Sequence, residues 1–122
     1  MKSFIKKQIM SFAYALQGAS FLIRSEPHAR FHIAVSLAVA ALGFYCDLSR
    51  LEWCLLIIAV MAVFVTEVLN TAIEVLADAV SPGYNPLVGR AKDVAAAAVL
   101  FAAVGAVFIG LLIFGGHFPA LF

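Results

Sequence analysis

The segment TEVLNTAIEVLAD, Thr66 to Asp78, decides how this chain is read. It continues WCLLIIAVMAVFV, Trp53 to Val65, a run without a formal charge. Nothing between Trp53 and Val80 breaks a helix, so one helix is expected over 53–80. At about 1.5 Å per residue it measures roughly 42 Å, more than the roughly 30 Å hydrocarbon core of a bilayer. Its last turns must therefore reach the headgroup layer. Those turns carry Glu67, Asn70, Thr71, Glu74 and Asp78. At about 100° per residue, with Glu67 at zero, Thr71 falls near 40° and Glu74 near −20°. Asp78 falls near 20° and Asn70 near −60°, so the polar groups share one stripe about 100° wide. Charges near lipid are costly, so this stripe should face protein, water or a bound cation.

The rest of the chain supports a membrane setting. Of 122 residues, 65% are hydrophobic and 12% charged, too few polar groups to cover a soluble globule. One all-α integral membrane domain over 1–122 is expected. A first span is read over 27–46, with Pro27 at its first turn and Ser25 as N-cap. A third is read over 92–116, and Val94 to Gly116 carries no formal charge. YCDLSRLEW reads as a tight loop, and SPGYNPLVGR, with two prolines and two glycines, as the stop after the second span. Over 4–24, Ile5, Ile9, Phe12, Leu16, Ala19 and Ile23 recur at steps of three and four, with Lys6, Lys7 and Arg24 largely off that stripe. Such a helix lies in the membrane interface, or packs on the other three. Cys46 and Cys54 match no redox or zinc spacing and read as packing residues. No cleavable signal peptide is evident.

Orientation follows from the basic residues. Three spans put the N-terminus and the second loop on one side, with Lys2, Lys6, Lys7, Arg24, Arg30, Arg90 and Lys92. Arg50 alone falls on the other. The basic side should be cytoplasmic, with the C-terminus outside.

Three carboxylates on one stripe repel one another unless something positive intervenes. Arg90 and Lys92 supply part of it, and a divalent metal is the other answer. Carboxylates without a histidine or cysteine cluster favour Mg²⁺, which takes one or two of them plus phosphate oxygens. An acid cluster at headgroup depth, with a lysine nearby, fits phosphoryl transfer to a lipid hydroxyl. Residue chemistry alone leaves a structural ion-pair network, or a proton or cation relay, equally open. No GxxxxGK[ST] loop or protein-kinase motif set is present.

The segment EVLNTAIEVLADAVSPGYNPLVGRAKDVAAAAVL closely resembles the signature of the prokaryotic diacylglycerol kinase family, which also contains undecaprenol kinases. The pattern is E-x-x-N-[ST]-A-I-E-x-x-x-D, a short loop, then A-K-D. SEPHARFHI and LSRLEW extend the likeness over nearly the whole chain. The resemblance implies a homotrimer in the bacterial inner membrane. Each subunit would have an amphipathic surface helix and three transmembrane helices. It would pass the γ-phosphate of Mg-ATP to the hydroxyl of diacylglycerol or undecaprenol, with no nucleic-acid partner.

By position, the resemblance makes Glu67 the base that accepts the lipid hydroxyl proton. It makes Glu26 and Glu74 the metal and ATP ligands, and Asn70 their supporting amide. Lys92 and Asp93 match the ATP-contacting pair, Tyr14 an aromatic contact to the nucleotide, and Lys7 a basic contributor. Gly83, Tyr84 and Asn85 occupy the loop that contacts ATP, and Ala96 a lipid-facing substrate position. EPHARFH departs from the frequent E-x-N-x-R-x-H form, with His28 in place of the asparagine. His28 and His32, near the interface, read as solvated or hydrogen-bonded side chains. RFHI and LSRLEW lean toward the undecaprenol-kinase branch. Ala98, Ala102, Ala106 and Gly110, at steps of four, make a small-residue ridge for helix packing. Two readings compete with a lipid kinase: a cation-coupled transporter using Glu67 and Glu74 as relay groups, and a non-catalytic assembly subunit.

Overall fold

A computed structural model describes residues 1–118 as four helices and, among those residues, no strand. The helices are α1 (Lys2–Ser25), α2 (Pro27–Cys46), α3 (Arg50–Val80) and α4 (Pro86–His117). The last three are each long and apolar enough to cross a membrane. The fold is all-α, a surface helix followed by three spans. The expected range 1–122 runs four residues past the described part.

Two helix starts differ from the sequence reading. Helix α3 begins at Arg50, not Trp53, because Ser49 caps it. Ser49 Oγ accepts the Glu52 N–H at 3.2 Å, and Glu52 Oε1 accepts the Ser49 N–H at 3.0 Å. These reciprocal bonds satisfy two donors that a helix start would otherwise leave bare. Helix α4 begins at Pro86, not Lys92. Asn85 Oδ1 accepts the N–H groups of Leu87 at 3.0 Å and Val88 at 3.4 Å. Pro86 lacks an N–H at a position that needs none. Half of SPGYNPLVGR is therefore helix, and the connection shrinks to Ser81–Asn85.

Ser25 does not cap α2. Its hydroxyl donates to the Phe21 carbonyl at 2.7 Å, and Glu26 holds the N-cap position without a side-chain bond. Arg30 fixes the α1–α2 corner instead. Its Nη1 donates to the Ile23 carbonyl at 3.1 Å and the Arg24 carbonyl at 3.0 Å, the free acceptors at the end of α1.

Helices α3 and α4 pack along each other, while α2 meets α3 over a shorter stretch. Helix α3 carries most of the buried residues: Leu56, Ala59, Val63, Glu67, Thr71 and Ala77. Leu56 to Thr71 recur at steps of three and four, one face turned to the other helices. In α1 only Leu22 is buried. Ile5, Ile9, Phe12 and Leu16 all stay exposed, so the other three helices leave most of the apolar stripe of α1 uncovered. That supports the membrane-interface reading of this helix.

The α2–α3 turn anchors one end of the bundle. Asp47 has φ 55°, the left-handed conformation that short polar side chains tolerate. Leu48, Leu56 and Ile113 form a small core there. Gly43 is buried against Trp53, and a Cβ at Gly43 would lie 2.7 Å from the indole Cη2 and 3.0 Å from Leu48 Cδ1. Gly43→Leu should therefore cost about 1–3 kcal/mol by overpacking. Unfolding in mixed micelles checks this, and an unchanged midpoint would contradict the packing. At the same end His117 Nε2 lies 2.9 Å from Glu52 Oε2 and ties α4 to the start of α3.

Candidate active site

Helix α3 sets the depth of the acids. Glu67 is 4% exposed and continues the apolar stripe Leu56–Ala59–Val63. Glu74, two turns on, is half-buried, and the Asp78 side chain, one turn further, is 70% exposed. The stripe thus grades from a carboxylate enclosed by protein to one in contact with water. A buried carboxylate is costly unless it has a polar partner. Its neighbour across the helix interface is His32 of α2, with Nε2 3.9 Å from Glu67 Oε2. The sequence reading placed His32 as a solvated or hydrogen-bonded group near the interface. The structure sets it half-buried against the deepest acid.

Other members of the stripe hold one another. Asn70 Nδ2 donates to Glu74 Oε1 at 3.5 Å, a long bond that orients the carboxylate loosely. Asn70 Oδ1 and the Thr71 hydroxyl are buried without a partner among the described residues. Buried polar atoms normally find partners, so these two point to a ligand or water between the helices. Lys92 Nζ donates to Asp78 Oδ1 at 2.8 Å, which places its charge at the open end of the stripe. The pair is exposed and contributes little stability, so positioning is its main effect.

The remaining expected site residues are spread over α1, α4 and the connections between helices. Glu26 is half-buried at the α1–α2 corner. Lys7 and Tyr14 are exposed on α1, and Asp93 and Ala96 are exposed on α4. Gly83 and Tyr84 are exposed in the α3–α4 connection, and Asn85 is engaged as the cap of α4. One chain thus brings together Asn70 with Glu74, Lys92 with Asp78, and His32 with Glu67. Among the described residues, no three histidine, cysteine or acidic side chains converge on one metal position.

An apolar groove of about 690 Å³ runs between α2, α3 and α4. Phe31 and His32 form one end, Phe114 and Phe118 the other, and Val39, Leu56 and Val63 line its length. The groove therefore extends from the Glu67 level toward the far side of the bundle. A second cavity, between α3 and α4, is lined by Asn70 and Arg90 among apolar residues.

The sequence profile of prokaryotic diacylglycerol kinase matches residues 13–114, most of the chain and all of the acid stripe. The chain belongs to the prokaryotic diacylglycerol kinase family. It is 41% identical over 104 residues to the undecaprenol kinase of Bacillus subtilis (strain 168), covering 85% of each chain. It is 41% identical over 86 residues to the diacylglycerol kinase of Escherichia coli (strain K12), covering 70% of each. The diacylglycerol kinase of Haemophilus influenzae is 33% identical over 108 residues, 87% of this chain and 92% of that one. As a family member the chain is a lipid kinase, and the transporter reading of the stripe is not favoured.

Proposed function

We propose that this chain transfers the γ-phosphate of Mg-ATP to the hydroxyl of a membrane lipid, with undecaprenol as the favoured acceptor and diacylglycerol as the alternative. One observation carries the reading: a buried carboxylate, Glu67, stands beside an apolar groove and begins a stripe of acids that opens to water. The groove suits a hydrocarbon chain and the stripe suits a charged nucleotide. Glu67 lies where the two meet.

Phosphoryl transfer needs in-line placement and charge neutralisation more than covalent chemistry. Glu67 accepts the hydroxyl proton as the lipid oxygen attacks phosphorus. Glu26 and Glu74 would hold the cation, and Asn70 steadies Glu74 through its amide. Two carboxylates suffice, because Mg²⁺ commonly completes its shell with phosphate oxygens and water. Magnesium, when bound, neutralises phosphate charge and aligns the leaving oxygen. Lys92 adds positive charge near the phosphates, and Asp93 contacts the nucleotide. Tyr14, Lys7 and the Gly83–Tyr84–Asn85 connection border the nucleotide from α1 and the loop, and Ala96 borders the lipid.

A homotrimer would suit this arrangement. Three thin spans leave most of their large apolar side chains exposed in one chain, and a neighbouring copy would help to enclose the polar site. The excess of basic residues on one side supports a stripe at the cytoplasmic face of a bacterial inner membrane, where ATP is available.

Purified protein, labelled Mg-ATP and either undecaprenol or diacylglycerol in mixed micelles test the reading. Label should enter undecaprenol with the higher kcat/KM. Preference for diacylglycerol would reverse the acceptor assignment. Label in neither lipid, with a verified folded oligomer, would defeat the kinase reading.

A further inference from the structure

The Glu67 carboxylate is almost fully enclosed, and a base in that setting must be aimed. Its own helix supplies no cation nearby, because Arg50, the basic residue of α3, stands at the opposite end. Among the described residues, His32 is the one basic side chain within 4 Å of it. We propose that His32 is a positioning residue for Glu67: its Nε2–H holds the Glu67 carboxylate toward the acceptor hydroxyl. The inference rests on the reading of Glu67 as base.

Four observations converge on it. The side chain of His32 is 21% exposed and that of Glu67 5%, so their approach is largely screened from bulk water. At 3.9 Å, Nε2 and Oε2 are too far apart for a direct bond, yet a small rotation of either side chain closes the gap. Catalytic hydrogen bonds are often long without substrate and tighten in the reacting complex. The His32 ring is also braced: Phe31 meets it edge-on, with centroids 5.8 Å apart. Finally, His32 lines the end of the apolar groove, where the lipid hydroxyl must arrive to meet Glu67. The same ring can therefore orient the base and border the acceptor. The geometry assigns a function to a residue that the sequence leaves as a solvated or hydrogen-bonded side chain.

His32→Leu, His32→Gln and Glu67→Gln, measured in the full-length protein with undecaprenol and with diacylglycerol, test this. His32→Leu should lower kcat at least about 10-fold, with KM for ATP and lipid nearly unchanged. Glutamine places an N–H near the position of Nε2, so His32→Gln should regain most of the lost kcat. Adding His32→Leu to Glu67→Gln should cost little more, because the histidine acts through the glutamate. Wild-type turnover in His32→Leu, with Glu67→Gln inactive, would overturn this inference alone. Equal losses in the leucine and glutamine variants would overturn it too, since no donor would be at work. Where the leucine variant fails to assemble, wild-type kcat/KM in His32→Asn, whose amide is too short to reach Glu67, does the same. Full activity in Glu67→Gln would instead defeat the base assignment itself.

Discussion

Glu67→Gln should keep the fold and ATP binding and lose turnover by about 10²- to 10⁴-fold. Glutamine has nearly the shape of glutamate, so the buried position on α3 stays filled. It cannot accept the proton that the lipid hydroxyl must shed. Because the loss is confined to the transition state, KM for ATP should hardly move while kcat collapses. Steady-state kinetics in mixed micelles measure both, and a thermal or denaturant melt confirms folding. Retention of more than about a tenth of wild-type kcat would remove Glu67 from the role, since a lost general base costs at least 10²-fold.

The second large effect is expected at Glu74. Glu74→Gln keeps the size and the reach to Asn70, which now donates at 3.5 Å to Glu74 Oε1. It removes a negative oxygen from the proposed cation site. Turnover should fall about 10²-fold or more, as when one transition-state charge contact is lost. Unlike Glu67→Gln, this variant should also require more Mg²⁺ to reach half its own maximal rate. A titration of rate against Mg²⁺ at fixed ATP separates the two glutamates. An unshifted magnesium curve in Glu74→Gln would place the cation elsewhere.

The contrast between these residues shows what one chain's sequence made legible. The three spans follow from apolar length, and the acid stripe from a 3.6-residue period laid along one long helix. Period alone put Glu67, Thr71 and Glu74 on one face, and the structure buries Glu67 and Thr71 on it and half-buries Glu74. The start of α4 was hidden because SPGYNPLVGR holds two prolines and two glycines, and these suggest a break. Asn85 followed by Pro86 is in fact a helix start, an acceptor side chain followed by a residue that needs no donor partner. The start of α3 was hidden by a similar misreading of Ser49 and Glu52, whose side chains cap the helix rather than line a loop.

The place of His32 could not be read from period at all. Helix α2 is apolar on every side, so no stripe marks which face meets α3. Its buried residues, Ala29 and Gly43, are small and spread far apart, and only the packed structure shows how the helix is turned. Small residues permit contact without specifying it. A histidine half a turn beyond Arg30 could face lipid, water or protein with equal ease on sequence grounds. Its proximity to Glu67 is a tertiary fact.

The central claim is that the anionic ridge of α3 grips a metal–nucleotide complex. Manganese serves as a paramagnetic stand-in for magnesium, and its electron paramagnetic resonance spectrum reports binding directly. With protein in excess, the spectrum of Mn²⁺-ATP should change when the purified protein is added. Glu26→Gln/Glu74→Gln should leave the Mn²⁺-ATP spectrum unchanged at the same concentrations, while Glu67→Gln should change it as the wild type does. Equal Mn²⁺-ATP binding by the wild type and the Glu26→Gln/Glu74→Gln protein would contradict the account.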